Sequence, residues 1–357
     1  MARRIKIGIA GCGEAAQILH LPALRELSGL FEVSALCDVS PQTLAAVGAE
    51  WPDAGLFTDA AVMIRESAVE AVLVCNPHAF HAETAIAAMR AGKHVLIEKP
   101  MCVTLGEADQ MIEAEKASGA VAQVGYMRRY APAYLEAAEL AKARRGKIRL
   151  ARVHCVIGRN ALFTEGTSRV VKGAVPQDVI DAGKARLAAL TQEAAGASSG
   201  PRANAYALLL GLSSHDLSAM RGLIGMPGRV LHCALKQDGR AITAAFDYGD
   251  FVCQFETAVD AIGRFDAHIE LYTMEDVIRV AFTTPYIRHQ PAVLTVTSAK
   301  PPAGVSTTES LGSRIDSFVL EWRAFHGNIC EGKTPVTSIA DAREDLALIK
   351  MMIDAAE

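Results

Sequence analysis

Short apolar runs separated by helix-period segments fill the first third of the chain. Ile5 to Ile9, Phe31 to Cys37, Val69 to Cys75, His94 to Ile97 and Val121 to Tyr126 read as strands, with helical patterns such as Glu83 to Arg90 and Leu105 to Ser118 between them. Strands that alternate with helices predict right-handed βαβ units on a parallel sheet. Past residue 146 the period changes. Strand-like runs at 148–157, 229–236, 241–248, 251–258, 267–273, 276–282 and 293–298 follow one another with few helices between, and Asp238-Gly239 and Gly249-Asp250 supply two-residue hairpin signals. The second half therefore predicts a mostly antiparallel open sheet. One face of it needs covering, and helical segments near 131–145, 205–224, 312–331 and 340–356 are available for that. The expected fold class is α/β plus α+β, with a dinucleotide-binding domain over 1–126 and a substrate-binding, oligomerising domain over 127–357. The final helix, 340–356, is a candidate to pack back on the first domain.

One segment exceeds this plan. Between the strand at 148–157 and His215 lie some fifty residues with a helical pattern at Val179, Ile180, Leu187, Leu190 and Ala194, started by Pro176 and ended by Ala197-Ser198-Ser199-Gly200-Pro201. It reads as a surface helix, an oligomer contact or a lid, and its register does not choose between them.

Chemistry enters at the strand ends. After the first run comes Gly11-Cys12-Gly13-Glu14-Ala15-Ala16, the glycine turn and helix start of a dinucleotide site. Gly11 permits the tight turn, Gly13 lets backbone approach a pyrophosphate, and Ala16 allows close packing of helix on strand. Glu14 and Ala15 lie at the helix N-terminus that receives the negative charge. The second strand ends in Asp38, at the separation expected of a carboxylate on ribose hydroxyls. That carboxylate repels a 2′-phosphate, and Val39-Ser40 offers no cation, so NAD is expected over NADP. After His94 to Ile97 comes Glu98-Lys99-Pro100. Ligands in open α/β sheets bind beyond the carboxyl ends of strands. A lysine there is partly desolvated, which favours its neutral form and readies it to exchange a proton with a substrate hydroxyl.

These residues, with His20-Leu21-Pro22-Ala23-Leu24, Asn76-Pro77 followed by His81, Ala91 through Pro100 and Gly125 through Tyr130, resemble the glucose-fructose oxidoreductase and inositol dehydrogenase family, the Gfo/Idh/MocA oxidoreductases. The resemblance runs from Ile5 to about Arg129. It implies an N-terminal Rossmann domain, a proton-transfer role for Lys99 beside the nicotinamide, and cofactor contacts from Asn76, Pro77, His81 and Glu98. Beyond residue 130 it loosens. His215 matches the family's second-domain histidine, which marks it as the other candidate catalytic residue. Gly211 and Ser218 stand where the family usually carries acids, and Asp216 replaces neither. Tyr126 and Arg128, together with Lys99 and His215, are the candidate substrate contacts.

Composition changes little. A net charge of −4 gives no field for nucleic acid or an anionic membrane. The basic start Met1-Ala2-Arg3-Arg4 precedes an apolar run only a strand long, so no signal peptide is expected, and no run reaches the roughly 18 apolar residues of a membrane span. The eight cysteines show no C-x-x-C spacing and read as buried, reduced thiols of a cytoplasmic protein. His78-x-x-His81 with Glu83 lacks a third convergent ligand, and no metal is expected. The expected function is NAD-dependent hydride transfer at a ring hydroxyl of a sugar, sugar derivative or cyclitol, in a homo-oligomer. An internal-redox enzyme acting through a transient keto-sugar is the alternative that the missing acids favour. A non-catalytic NAD-sensing regulator is a third, against which the intact Glu98-Lys99-Pro100 argues.

Overall fold

The computed structural model describes residues 3–356; Met1 and Ala2 of the basic start lie outside them. Six strands form a wholly parallel sheet: β1 (Ile5–Ala10), β2 (Phe31–Cys37), β3 (Gly55–Phe57), β4 (Ala71–Val74), β5 (His94–Ile97) and β6 (Ala122–Val124), in the order β3-β2-β1-β4-β5-β6. The order reverses between β1 and β4, which makes that edge the topological switch point. Ile5, Ile7, Ile9 and all of Ala71–Val74 are buried, as strands covered on both faces by helices must be. Each of these Ile, Val and Leu side chains contributes about 1.5–3 kcal/mol on burial.

Eight strands form the second sheet: β7 (Leu150–Gly158), β8 (Arg229–Lys236), β9 (Ala241–Asp247), β10 (Val252–Asp260), β11 (Phe265–Tyr272), β12 (Asp276–Phe282), β13 (Val293–Lys300) and β14 (Gly304–Ser310), in the order β14-β13-β12-β11-β7-β10-β9-β8. Only β7 and β10 pair in parallel. Along β7, Ala151, Val153, Cys155 and Ile157 are buried while Arg152 and His154 alternate with them. The apolar face carries the helix Ser214–Ile224, and Pro132–Ala143 lies against β12 and β13. The polar face carries the ion pair of Arg279 Nε and Glu270 Oε1 at 3.4 Å, and His154 Nδ1 lies 3.0 Å from Glu256 Oε1.

Two compact units result, and neither is one continuous stretch. The first takes the residues through Gly125, Ser168–Glu193 and Phe318–Arg343; the second takes Tyr126–Thr167, Ala194–Ser317 and the residues from Glu344 on. Two expectations are corrected here. The helix Ser317–Glu331, expected over the second sheet, belongs mainly to the first unit, because Trp322 is fully buried against Phe31 and His20. Much of the extra segment, Ser168–Glu193, also joins the first unit and carries the helix Gln177–Ala195 up to its last two residues. The last helix, Ile339–Asp354, divides between units at Arg343 and Glu344.

Smaller differences have local causes. β14 is almost wholly exposed and so has no apolar alternation to reveal it. The pattern at 205–224 is three pieces, Gly200–Leu208, a π turn at Leu209–Ser213 and Ser214–Ile224. Gly249-Asp250 makes a two-residue hairpin closed by Tyr248 N donating to Phe251 O at 3.0 Å. Asp238-Gly239 sits instead in a four-residue loop in which Gln237 and Asp238 also take positive φ. Of the cysteines, Cys330 is exposed and Cys75 half-buried, against the expectation that all are buried.

Candidate functional site

Within the first unit, ladder bonds carry the chain one step past each strand end. Gly11 N donates to Cys37 O at 2.9 Å, Cys75 N to Ala10 O at 2.8 Å, Glu98 N to Val74 O at 2.9 Å and Gly125 N to Ile97 O at 2.7 Å. Gly11, Cys75-Asn76, Glu98-Lys99 and Gly125 thus form one row along the carboxyl edge of the sheet.

Gly11 has φ of +100°, and a Cβ there would lie 2.4 Å from Cys75 O, so only glycine fits. At Gly13 a Cβ would meet nothing within 4 Å, which leaves the loop backbone approachable. The helix that follows starts at Glu14, passes through a π turn at Ala16–His20 and continues as Leu21–Glu26, with Ala16 fully buried. Asp38 ties this loop to the end of β2. Its Oδ2 accepts from Cys12 N at 2.9 Å and its Oδ1 from Ser40 N at 2.8 Å. Burial and the Asp38 carboxylate push the Cys12 thiol up to about 12, so it is a neutral packing group.

Asn76 Nδ2 donates to Thr84 Oγ1 at 2.8 Å, while its buried Oδ1 accepts no hydrogen bond among the described residues. An acceptor left without a donor costs free energy unless a ligand supplies one. Together with the open backbone at Gly13, it fits a dinucleotide: Gly11 through Ala16 would hold the pyrophosphate, Asp38 the ribose hydroxyls, and Asn76 a donor group at the other end. Pro77 is exposed and precedes the 3-10 turn His78–Phe80. His81 is buried, with Nδ1 2.8 Å from Pro100 O and Nε2 2.6 Å from Asn76 O. Burial holds this ring below its usual range despite the two carbonyls. A neutral imidazole has one N–H, so one of the two contacts is a donated hydrogen bond. His81 thus sits between Asn76 and Pro100, the residue after Lys99, and hydrogen-bonds one of the two carbonyls.

Lys99 is half-buried at the end of β5, and its peptide bond to Pro100 is cis. Glu98 directs its hydrogen bonds into the protein. Oε2 accepts from Lys99 N at 2.9 Å, and Oε1 lies 2.7 Å from His20 Nε2. Trp322 Nε1 donates to His20 Nδ1 at 3.2 Å, which leaves the His20 proton on Nε2, facing Glu98. Burial raises Glu98, and the His20 hydrogen bond and the Lys99 charge outweigh it, so the carboxyl stays below its usual range.

In the second unit, Tyr126 packs edge-on against His215, with centroids 6.0 Å apart and planes at 77°. Arg128 pairs with Asp216, both buried, and its guanidinium lies 4.7 Å from the centroid of the Phe282 ring. That pair anchors the turn Met127–Tyr130 to the helix of His215. Ser218, in an acid's slot, receives Arg129 Nη1 at 3.5 Å. Tyr286 accepts from Asn160 Nδ2 at 3.0 Å. Among the described residues no three His, Cys, Asp or Glu side chains gather to hold a metal, and no helix is long and apolar enough to cross a membrane.

Sequence reasoning missed the supports. Cys12 enters through its backbone, which no side-chain motif reports. His20 stands in a quoted string without a role, and Trp322 comes from a helix some three hundred residues away. Gln17 and the stretch 171–174 carried no mark except a glycine at 173.

Residues 5–126 match the model of an oxidoreductase family described by its NAD-binding Rossmann fold. Inositol 2-dehydrogenase of Paracoccus denitrificans is 38% identical over 133 residues, which cover 37% of this chain and 39% of that protein. The match thus spans about two fifths of the length of such relatives. Over 99% of this chain, the fold is like that of a levoglucosan dehydrogenase solved with NADH (TM-score 0.75, 19% identity, 97% of that chain). It is equally like that of a 3-ketoreductase from Actinomadura kijaniata solved with NADP and TDP-benzene (TM-score 0.75, 19% identity, 98% of that chain).

Proposed function

We propose that this chain, whose residues 5–126 match the model of an oxidoreductase family with an NAD-binding Rossmann fold, is an NAD-dependent dehydrogenase of a ring hydroxyl in a sugar, sugar derivative or cyclitol. The observation that carries the reading is the row of Gly11, Asn76 and Lys99 on one sheet edge, with an approachable backbone at Gly13 and an unfilled acceptor at Asn76. When bound, the cofactor supplies a hydride acceptor or donor at its nicotinamide. Lys99 takes the hydroxyl proton as the carbinol is oxidised and returns it in the reverse direction. Glu98 holds the Lys99 backbone, and His81 packs against the next residue, so the amine is presented from a fixed strand end. Asp38 recognises ribose hydroxyls and disfavours a 2′-phosphate. His215, flanked by Tyr126, is the candidate for orienting a substrate hydroxyl.

A second reading has its own support. Gly211 and Ser218 supply no carboxylate to the His215 helix, and Asp216 is committed to Arg128. A site without those acids suits transient oxidation followed by epimerisation, elimination or hydrolysis and return of hydride. The experiment is a sugar and cyclitol panel with NAD or NADP, read at the reduced-nicotinamide band and by product analysis. Accumulating NADH supports the dehydrogenase, and product without NADH supports internal redox. Dinucleotide binding with neither would leave a sensor and overturn both catalytic readings.

A further inference from the structure

The stretch 171–174 lies within the first unit across both loops of the adenosine half of the cradle. Gln17, on the glycine-loop helix, donates from Nε2 to Val171 O at 2.9 Å and accepts Val171 N at Oε1, also at 2.9 Å. The same Nε2 donates to Cys12 O at 2.8 Å, so the stretch is joined to the glycine loop itself. Lys172 Nζ pairs with Glu14 Oε2 at 2.9 Å. Gly173 N then donates to Thr43 Oγ1 at 2.9 Å and Ala174 N to Gln42 Oε1 at 3.2 Å, both in the first turn of the helix Pro41–Gly48 that follows Asp38. The fit at Gly173 is close: a Cβ there would lie 2.1 Å from Ser40 Oγ and 2.9 Å from Thr43 N.

This arrangement removes much of what a 2′-phosphate would need. A dianion beyond the second strand is ordinarily met by cations or by free N–H groups at the next helix start. Here Ser40 N is taken by Asp38 Oδ1, Thr43 N is taken by Ser40 Oγ at 3.4 Å, and Pro41 has none. The backbone of Gly173 closes over Ser40 Oγ and Thr43 N. Lys172, the cation of the stretch, pairs with Glu14 at the glycine loop.

We propose that residues 171–174 are a specificity strap, which closes over the adenosine ribose of the cofactor, slows its release and admits a free 2′-hydroxyl but not a 2′-phosphate. The proposal rests on reading Gly11 through Ala16 and Asp38 as the dinucleotide cradle. A 2′-phosphate can enter only by lifting the strap off Ser40 and Thr43, so retention and selectivity rise or fall together.

The test uses the full chain and its Gly173→Val variant, in which the added side chain drives the strap off Ser40. Calorimetry with NAD and NADP and stopped-flow displacement of NADH are measured on both. Gly173→Val should release NADH on the order of 10-fold faster or more, with the gap between NAD and NADP narrowed, since affinity differences of this kind appear mostly in dissociation rates. The unmodified chain gives an independent reading, because Arg169 and Lys172 are exposed tryptic sites at the strap. Saturating NAD should slow cleavage there, and saturating NADP should not. An unchanged release rate and NAD/NADP ratio in a folded variant would overturn the strap, as would cleavage indifferent to NAD. If the unmodified chain bound neither dinucleotide, the reading of the cradle would fall and the strap with it. NAD binding with an inert strap would remove the strap alone.

Discussion

His20 Nε2 lies 2.7 Å from Glu98 Oε1, both side chains buried, so the carboxylate beside Lys99 is held by an imidazole from the helix after the glycine loop. The pair joins the two ends of the cradle. Trp322 fixes the tautomer from behind, and Glu98 Oε2 fixes the Lys99 backbone in front. Removing one partner leaves the other charge or dipole buried without compensation. His20→Ala should therefore destabilise the protein by about 3–5 kcal/mol, the usual result of breaking a buried pair from one side. Thermal or urea unfolding measures it, and a loss below about 1 kcal/mol would mean that Glu98 finds water instead.

Glu98 also sets a pH dependence. Its folded-state pKa lies below the ordinary value, held there by His20 and Lys99 against burial. The resulting stability is complete above the unfolded carboxylate range near pH 4.3 and is lost as pH falls through the lower folded value. Glu98→Gln should flatten that part of the acid-unfolding curve and leave the neutral limb parallel to the parent's.

Lys99→Ala removes the amine at the strand end while leaving Gly11, Gly13 and Asp38 in place. Turnover should fall by roughly 10² to 10⁴-fold, the usual worth of a positioned acid or base, with cofactor affinity changed far less. Steady-state kinetics beside calorimetry separates the two. Near-parent turnover would make Lys99 structural.

Asp38→Ser should narrow the proposed preference for NAD over NADP but not invert it. The side chain accepts both Cys12 N and Ser40 N, so its loss also loosens the glycine loop and should weaken NAD binding in parallel. Binding of both cofactors by calorimetry gives the ratio, and an unchanged ratio would remove Asp38 from ribose recognition.

Gly211→Asp tests the missing acid beside His215. A Cβ at 211 would meet nothing within 4 Å and the backbone is not left-handed, so the variant should fold with a melting temperature close to the parent's. A carboxylate one helical turn from His215 favours imidazolium, so if neutral His215 is needed for turnover, the acid limb of the rate profile should move to higher pH. A normal melting temperature with an unmoved profile would withdraw His215 from catalysis.

What the sequence determined by itself was local: the period-2 and period-3.6 patterns that give a parallel sheet and then an antiparallel one, and the glycine loop, Asp38 and Glu98-Lys99-Pro100 at strand ends. These are legible because burial on both faces of a strand and steric exclusion at Gly11 act on neighbouring residues. Tertiary structure alone decided which distant segments complete each unit. Trp322 reaches His20 from a helix expected over the other sheet, and Gly173 closes on Ser40 and Thr43 from a segment whose sequence resembles any surface helix and its lead-in. Arg128, by sequence a candidate substrate contact, meets Asp216 and Phe282 because the chain folds their helix and strand onto its turn. Such pairings are fixed by shape and by the need to satisfy buried polar atoms across long separations, and no periodicity along the chain encodes them.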